Sequence, residues 1–161
     1  MENDAASASN DDIQTLVRAA GAEKDFDTRA AYAAYGLYHT CFPGLPPVTE
    51  RVIRANRITR AAWIGDGVAA TLLAERLEPN RGRAKYYRVM GLAVAPAHRR
   101  RGHAAALMRH LETLVPAGAV IELGVDKGRP STDWLLDWYT TRLGYAPHSE
   151  DATEAVLRKR V

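Results

Sequence analysis

Cysteine is all but missing from this chain, with Cys41 its one thiol, so no internal disulfide can form. The five histidines keep no metal-ligand spacing with that cysteine or with one another, and no metal is expected. Long apolar runs are missing too. None approaches the roughly 20 residues that cross a bilayer, and the acidic, polar opening MENDAASASNDD is unlike a signal peptide. These absences predict a cytoplasmic protein with no membrane partner. Nor is there an internal repeat, a low-complexity tract or an interdomain linker. A chain of 161 residues, 47% hydrophobic and 25% charged, is of one-domain size and can bury one sizeable core. Residues 1–11 read as a disordered leader and residues 12–161 as a single domain.

The net charge of +3 describes a surface field rather than a function. Basic residues gather at Arg99 to Arg101, at Arg81, Arg83 and Lys85 in a Gly-containing hairpin loop, and in the tail LRKR, Leu157 to Arg160. Solvated faces account for the last two clusters by default, so a nucleic-acid partner is left open without being expected.

What is present is a strand, a basic turn and a helix start in one unbroken run, YYRVMGLAVAPAHRRRGHAAAL from Tyr86 to Leu107. Val89, Met90, Leu92 and Val94 have the composition of a largely buried strand, which Pro96 ends. From Gly102 onward Ala104, Leu107, Met108, Leu111, Leu114 and Val115 recur at three- and four-residue spacing, so an amphipathic helix begins near the glycine and stops at Pro116. Arg99 to Ala104 therefore lie at a helix N-terminus, where unpaired N–H groups and the helix dipole favour an anion and where Gly102 and Ala104 leave room for it. A diphosphate suits the place. A triphosphate P-loop would need Gly-Lys followed by Ser or Thr, and a dinucleotide fingerprint would need three spaced glycines; neither is here.

The segment resembles motif A of the GCN5-related N-acetyltransferases, the GNAT superfamily, which reads Gln or Arg, two residues, Gly, one residue, then Gly or Ala. Arg99, Gly102 and Ala104 match, and Leu92-Ala93-Val94 and Pro96 stand where that family has its strand end and proline. The rest of the chain reads in the same order. Ile13 to Ala19 is a strand, Phe26 to His39 and Thr49 to Ile58 are helices around the loop FPGLPP, and Gly65-Asp66-Gly67 turns a hairpin between Ala61–Ile64 and Val68–Leu77. After the motif come a strand at Ala119–Val125, a helix at Ser131–Leu143 closed by Gly144, and strands at Tyr145–His148 and Thr153–Arg160. The resemblance implies an α/β (α+β) GNAT fold, a single mixed central sheet with helices on both faces.

It also implies acetyl-coenzyme A as donor. The pyrophosphate would be bound by backbone N–H groups across Arg99, Arg100, Arg101, Gly102, His103 and Ala104, and the pantetheine arm by the strand groups of Leu92, Ala93 and Val94. A free N–H near Val94 would face the oxyanion formed when an amine attacks the thioester. An alkylammonium with pKa around 10.4 must lose a proton before it attacks. Where the histone-acetylating branch of the family carries a glutamate this chain has Arg88, and where the N-terminal-acetylating branch carries the comparable residue it has Gly124. Glu122 and Asp126 share a strand face with Gly124 by alternation and are the nearest carboxylates, with Glu75 a third; Glu122 is the favoured base.

The family's thiolate-protonating tyrosine stands four residues before a Gly-aromatic pair, a place Thr140 holds here. Tyr139 is displaced by one residue, about 100° around a helix, and serves as the acid only if a bulge takes up that residue; otherwise it packs as core with Leu135 and Leu143. The family's helix asparagine is replaced by Thr132 or Asp133. A covalent route through Cys41 with His39 as base is disfavoured, since residues two apart do not face each other on a helix. The reaction expected is direct attack by a primary amine of a small molecule, bound among Tyr38, His39, Phe42, Trp138 and Tyr145. A protein N-terminus, an aminoacyl-tRNA, a non-catalytic acyl-coenzyme A sensor and a homodimer stay open.

Overall fold

The computed structural model describes residues 13–17, 36–37, 39–42, 58–76 and 86–161. Among them seven strands form one mixed sheet in the order β1-β2-β3-β4-β5-β7-β6. The strands are β1 Ile13–Val17, β2 Ile58–Ile64, β3 Ala69–Arg76, β4 Tyr86–Val94, β5 Val120–Asp126, β6 Ala146–Glu150 and β7 Glu154–Arg160. Helix α1 spans His103–Thr113 between β4 and β5, and α2 spans Thr132–Asp137 after β5. All neighbouring strands run antiparallel except β4 and β5, which are parallel. This connection through α1 is a βαβ crossover.

Alternation sorts the side chains between two apolar layers. Ala62, Leu73, Tyr87, Ile121, Leu123 and Leu157 face α1, which sends Leu107, Met108 and Leu111 onto them at helical spacing. Each of these leucines is 2% exposed or less, a burial worth about 1.5–3 kcal/mol apiece. On the opposite face Ile58, Ala61, Leu72 and Ala93 meet Leu37, with Cys41 and Met90 at the margin. Gly36, Leu37 and His39–Cys41 are helical, so helices cover both faces, as the sequence implied.

Strand β4 carries an irregularity that matters for the site. Leu72 pairs with Gly91 while its neighbour Leu73 pairs with Val89, so Met90 is an extra residue, a bulge. Before it Tyr87 and Val89 point toward α1; after it Leu92 and Val94 do. Arg88 therefore lies on the opposite face from Leu92, although a regular strand would put residues four apart on the same side.

The expected helix ending at Ile58 is corrected at that residue, which opens β2 and is buried at 3%; an apolar β-branched residue there follows the alternation of the strand. The remainder of that helix, most of the Phe26–His39 helix, the leader, the loop from Pro43 and the Arg81–Lys85 cluster lie outside the described residues.

Candidate active site

Pro96–His98 form one turn of 3-10 helix after β4. Arg100 and Gly102 then take left-handed backbone conformations, with φ of 64° and 79°. Two such residues within three positions curl the chain into the kind of turn whose N–H groups converge. The first bond of α1 runs from Ala106 N–H to the Gly102 carbonyl at 3.0 Å, so the N–H groups of His103, Ala104 and Ala105 have no acceptor inside the helix. Apart from the glycine and its two chain neighbours, no heavy atom of the described residues lies within 4 Å of where a Cβ on Gly102 would stand. That opening, at a dipole-positive helix end, fits the diphosphate of a nucleotide-bearing donor. The Arg99 side chain turns back instead, donating from Nε to the Val94 carbonyl at 3.0 Å, and so braces the turn.

Between this turn and the sheet interior, β4 and β5 separate. They pair only at Tyr86, Arg88 and the residue between, opposite Val120 to Glu122. Beyond, Val89 and Gly91 to Val94 stay paired with β3 on one side while no strand pairs with them on the other among the described residues. The opening leads from the phosphate turn to the point where the strands rejoin. On the α1 side, a groove of about 380 Å³ is lined by Ala105, Arg109, Trp134, Asp137, Trp138 and Arg142.

At the rejoining point, on the face away from α1, four charged side chains interlock. Arg88 donates to Glu122 Oε1 and to Glu154 Oε1, both at 2.6 Å, and Arg158 Nε donates to Glu122 Oε2 at 2.8 Å. Both oxygens of Glu122 are thus committed. Partial burial works to raise its pKa, but the hydrogen bonds and charges of Arg158 and Arg88 outweigh it and hold the carboxyl below its ordinary value. Burial likewise opposes the charge on Arg88, and its bonds to Glu154 and Glu122 more than restore it. A Cβ on Gly124 would collide with Glu154 Oε1 and come within 2.8 Å of Arg88, so the glycine is what lets this pair settle onto β5.

Helix α2 continues into a π-helical turn, Trp138–Arg142. The Tyr145 N–H donates to the Tyr139 carbonyl six residues back at 3.0 Å, one residue more than the five spanned at an ordinary glycine-terminated helix end. Thr140 and Thr141 return their hydroxyls to the carbonyls of Leu136 and Asp137, which loosens the α-helical ladder there. The Tyr139 ring packs edge-on against Trp138 and Tyr145, with centroids at 4.9 and 6.0 Å.

A family model decides what this arrangement belongs to: that of the acetyltransferase (GNAT) family matches residues 31–145. The chain belongs to the GNAT acetyltransferase family. No curated protein matches it. Among solved structures, an aminoglycoside acetyltransferase from an uncultured soil metagenomic sample is similar over 87% of this chain and 94% of its own, at 22% identity and a TM-score of 0.64. Arabidopsis thaliana Naa50, bound to the bisubstrate analogue CoA-Ac-MVNAL, matches 93% of this chain and 99% of its own, at 17% identity and a TM-score of 0.60. An aminoglycoside 6'-N-acetyltransferase complexed with coenzyme A matches 91% and 95%, at 15% identity and the same TM-score.

Within this GNAT frame the motif residues Leu92 to Val94 and Arg99 to Ala104 fall along one continuous path, from the open edge of β4 to the start of α1. Other expectations are not brought together. Tyr145 is 3% exposed in the layer under α1 and Trp138 packs there too, whereas the helical segment with His39 lies with the opposite layer. The two groups stand on opposite faces of the sheet; Tyr38 lies outside the described residues. Thr132 is spent on structure, its hydroxyl donating to the Asp126 carbonyl at 2.7 Å and accepting from Arg129 N–H. The Cys41 thiol faces the Val94 carbonyl at 3.9 Å. Asp126 pairs with Arg129. What sequence reading missed was Glu154: its strand was legible, but nothing in the spacing says that its carboxylate fills the place of an absent side chain two strand positions from Glu122.

Among the described residues no helix is long and apolar enough to cross a membrane, and no group of three or more His, Cys, Asp or Glu is disposed to hold a metal.

Proposed function

We propose that this GNAT protein transfers the acetyl group of acetyl-coenzyme A to a primary amine of a small molecule by direct attack within a ternary complex. The observation that carries the reading is the parting of β4 from β5, which leaves a bare strand edge running from the phosphate turn to a cluster of charged side chains. The donor's diphosphate meets the N–H groups at Arg99 to Ala104. Its pantetheine arm lies along Leu92 to Val94, and its thioester comes to the rejoining point. Tyr139 is the acid for the departing thiolate, a role supported by the π-helical turn that takes up the one-residue displacement. Glu122, fully engaged by two arginines, anchors the charged cluster and is too weakly basic for the proton transfer.

The basic tail supports a small acceptor over tRNA. Arg158 is paired with Glu122, Lys159 with Glu112 and the Leu143 carbonyl, and Arg160 with the Gly118 carbonyl. These charges are engaged by partners within the fold rather than left free for phosphates.

The test is release of free thiol from acetyl-coenzyme A with tyramine, kanamycin, spermidine and the free peptide MVNAL as acceptors. At least one small amine should be acetylated, with a rate that changes little between low and moderate salt. Acetylation of MVNAL alone would move the acceptor class to protein N-termini, and acetylated aminoacyl-tRNA with a steep salt dependence would move it to nucleic acid. Tight donor binding without any turnover would make the protein a sensor. In the same assay Gly102→Asp, which sets a carboxylate against the diphosphate, should abolish coenzyme A binding with the fold intact; unchanged affinity by calorimetry would remove the donor from this turn.

A further inference from the structure

Direct attack leaves a proton without a destination, because Glu122 has no unoccupied oxygen and Arg88 and Gly124 supply none. The carboxylate at the same place comes from another strand. Glu154 opens β7, pairs in register with Asp126, and sends its side chain back over β5 until Oε1 lies close enough to collide with any Cβ on Gly124. Oε1 accepts from Arg88 at 2.6 Å. Oε2 takes no hydrogen bond among the described residues, and the side chain keeps 32% of its exposure. Glu154 is thus the member of the cluster with one oxygen tied down and the other available.

We propose that Glu154, laid over the bare Cα of Gly124, is the carboxylate that takes the proton from the acceptor amine. The proposal rests on the acetyl-transfer reading above. In that step the ammonium passes a proton to Oε2, directly or through one water, and the freed nitrogen lone pair attacks the thioester carbon. A C–N bond forms and a tetrahedral oxyanion appears. The C–S bond then breaks, the thiolate takes a proton from the Tyr139 hydroxyl, and Tyr139 recovers one from the nitrogen of the nascent amide. Glu154 gives its proton to solvent, so that ammonium and thioester yield amide, thiol and one proton.

Arg88 has two parts in this. It fixes Glu154 by one oxygen, and its fixed positive charge near the incoming ammonium favours the neutral amine. Gly124 is the condition for both, since any side chain there would push the pair off β5.

The experiment uses the full chain and the acceptor panel above, with turnover, coenzyme A affinity and melting temperature read for each variant. Glu154→Gln should lower kcat by about 10²–10⁴-fold and leave coenzyme A affinity within error, while Glu154→Asp should keep part of the activity. Moving the carboxylate to the neighbouring strand, with Gly124→Glu and Glu154→Ala combined, should recover at least about tenfold over Glu154→Ala alone, a gain that a merely structural role would not produce. Turnover by Glu154→Gln close to wild type would overturn the proposal and leave the acetyl-transfer reading standing. A wild-type protein inert toward every acceptor would overturn that reading, and this proposal with it.

Discussion

Single residues at this site are read best by what their neighbours leave them free to do. Glu122 is one of the two carboxylates nearest to Gly124 along β5, yet its two arginine partners make it a fixture. With its folded pKa below the ordinary carboxyl value, Glu122 contributes stability that is present above about pH 4.5 and is lost as pH falls through the folded value. Glu122→Gln should therefore lower stability by about 2–3 kcal/mol at neutral pH, and the deficit relative to wild type should shrink on acidification below pH 4. Urea titrations at pH 7 and pH 3.5 measure both; an equal deficit at the two pH values would mean that the loss comes from packing and not from charge.

At the scale of elements, the π-helical turn shows how a helix end takes up one extra residue. Spacing alone places Thr140 in the family's tyrosine position and Tyr139 about 100° away. Whether the helix absorbs that offset depends on hydrogen bonds near its end, which no spacing rule contains. If Tyr139 is the acid, Tyr139→Phe should lower turnover by about 10²–10⁴-fold with donor binding retained. Deleting Thr140, which takes the extra residue out of the turn, should restore the ordinary spacing before Gly144 and be tolerated far better than Tyr139→Phe. Steady-state turnover and coenzyme A calorimetry compare the two, and normal turnover in Tyr139→Phe would return the ring to core packing alone.

The strands were legible for a related reason: β5 and β7 alternate, β3 and β4 are apolar runs bounded by turn signals, and the α1 stripe from Leu107 to Leu111 has the helical period. The turn proposed for the donor was legible as a turn because a left-handed residue at a helix start favours glycine locally. The charged cluster was not, because Arg88, Glu122, Glu154 and Arg158 come from three strands and meet only through the register of β4, β5 and β7. The bulge at Met90 hid a further fact, since it moves Leu92 to the face opposite Arg88 and so breaks the simple four-residue rule for this strand.

Across the whole molecule the sheet divides into two blocks. Strands β1 to β4 form one antiparallel set and β5, β7 and β6 another, joined at a parallel seam of three residue pairs. A donor arm laid along Val89 to Val94 would act as the strand that is missing between them, so ligand and fold share a boundary. Amide hydrogens on the open edge of β4 should exchange readily in the free protein and become protected when coenzyme A is added, with the slowing reaching β5 across the gap. Exchange measured by mass spectrometry with and without coenzyme A tests this, and unchanged rates at Val89 to Val94 would detach the donor from the seam. The opening between β4 and β5 is, in mechanical terms, an expansion joint between two plates, and a donor arm laid in it would be the grout that makes them one slab.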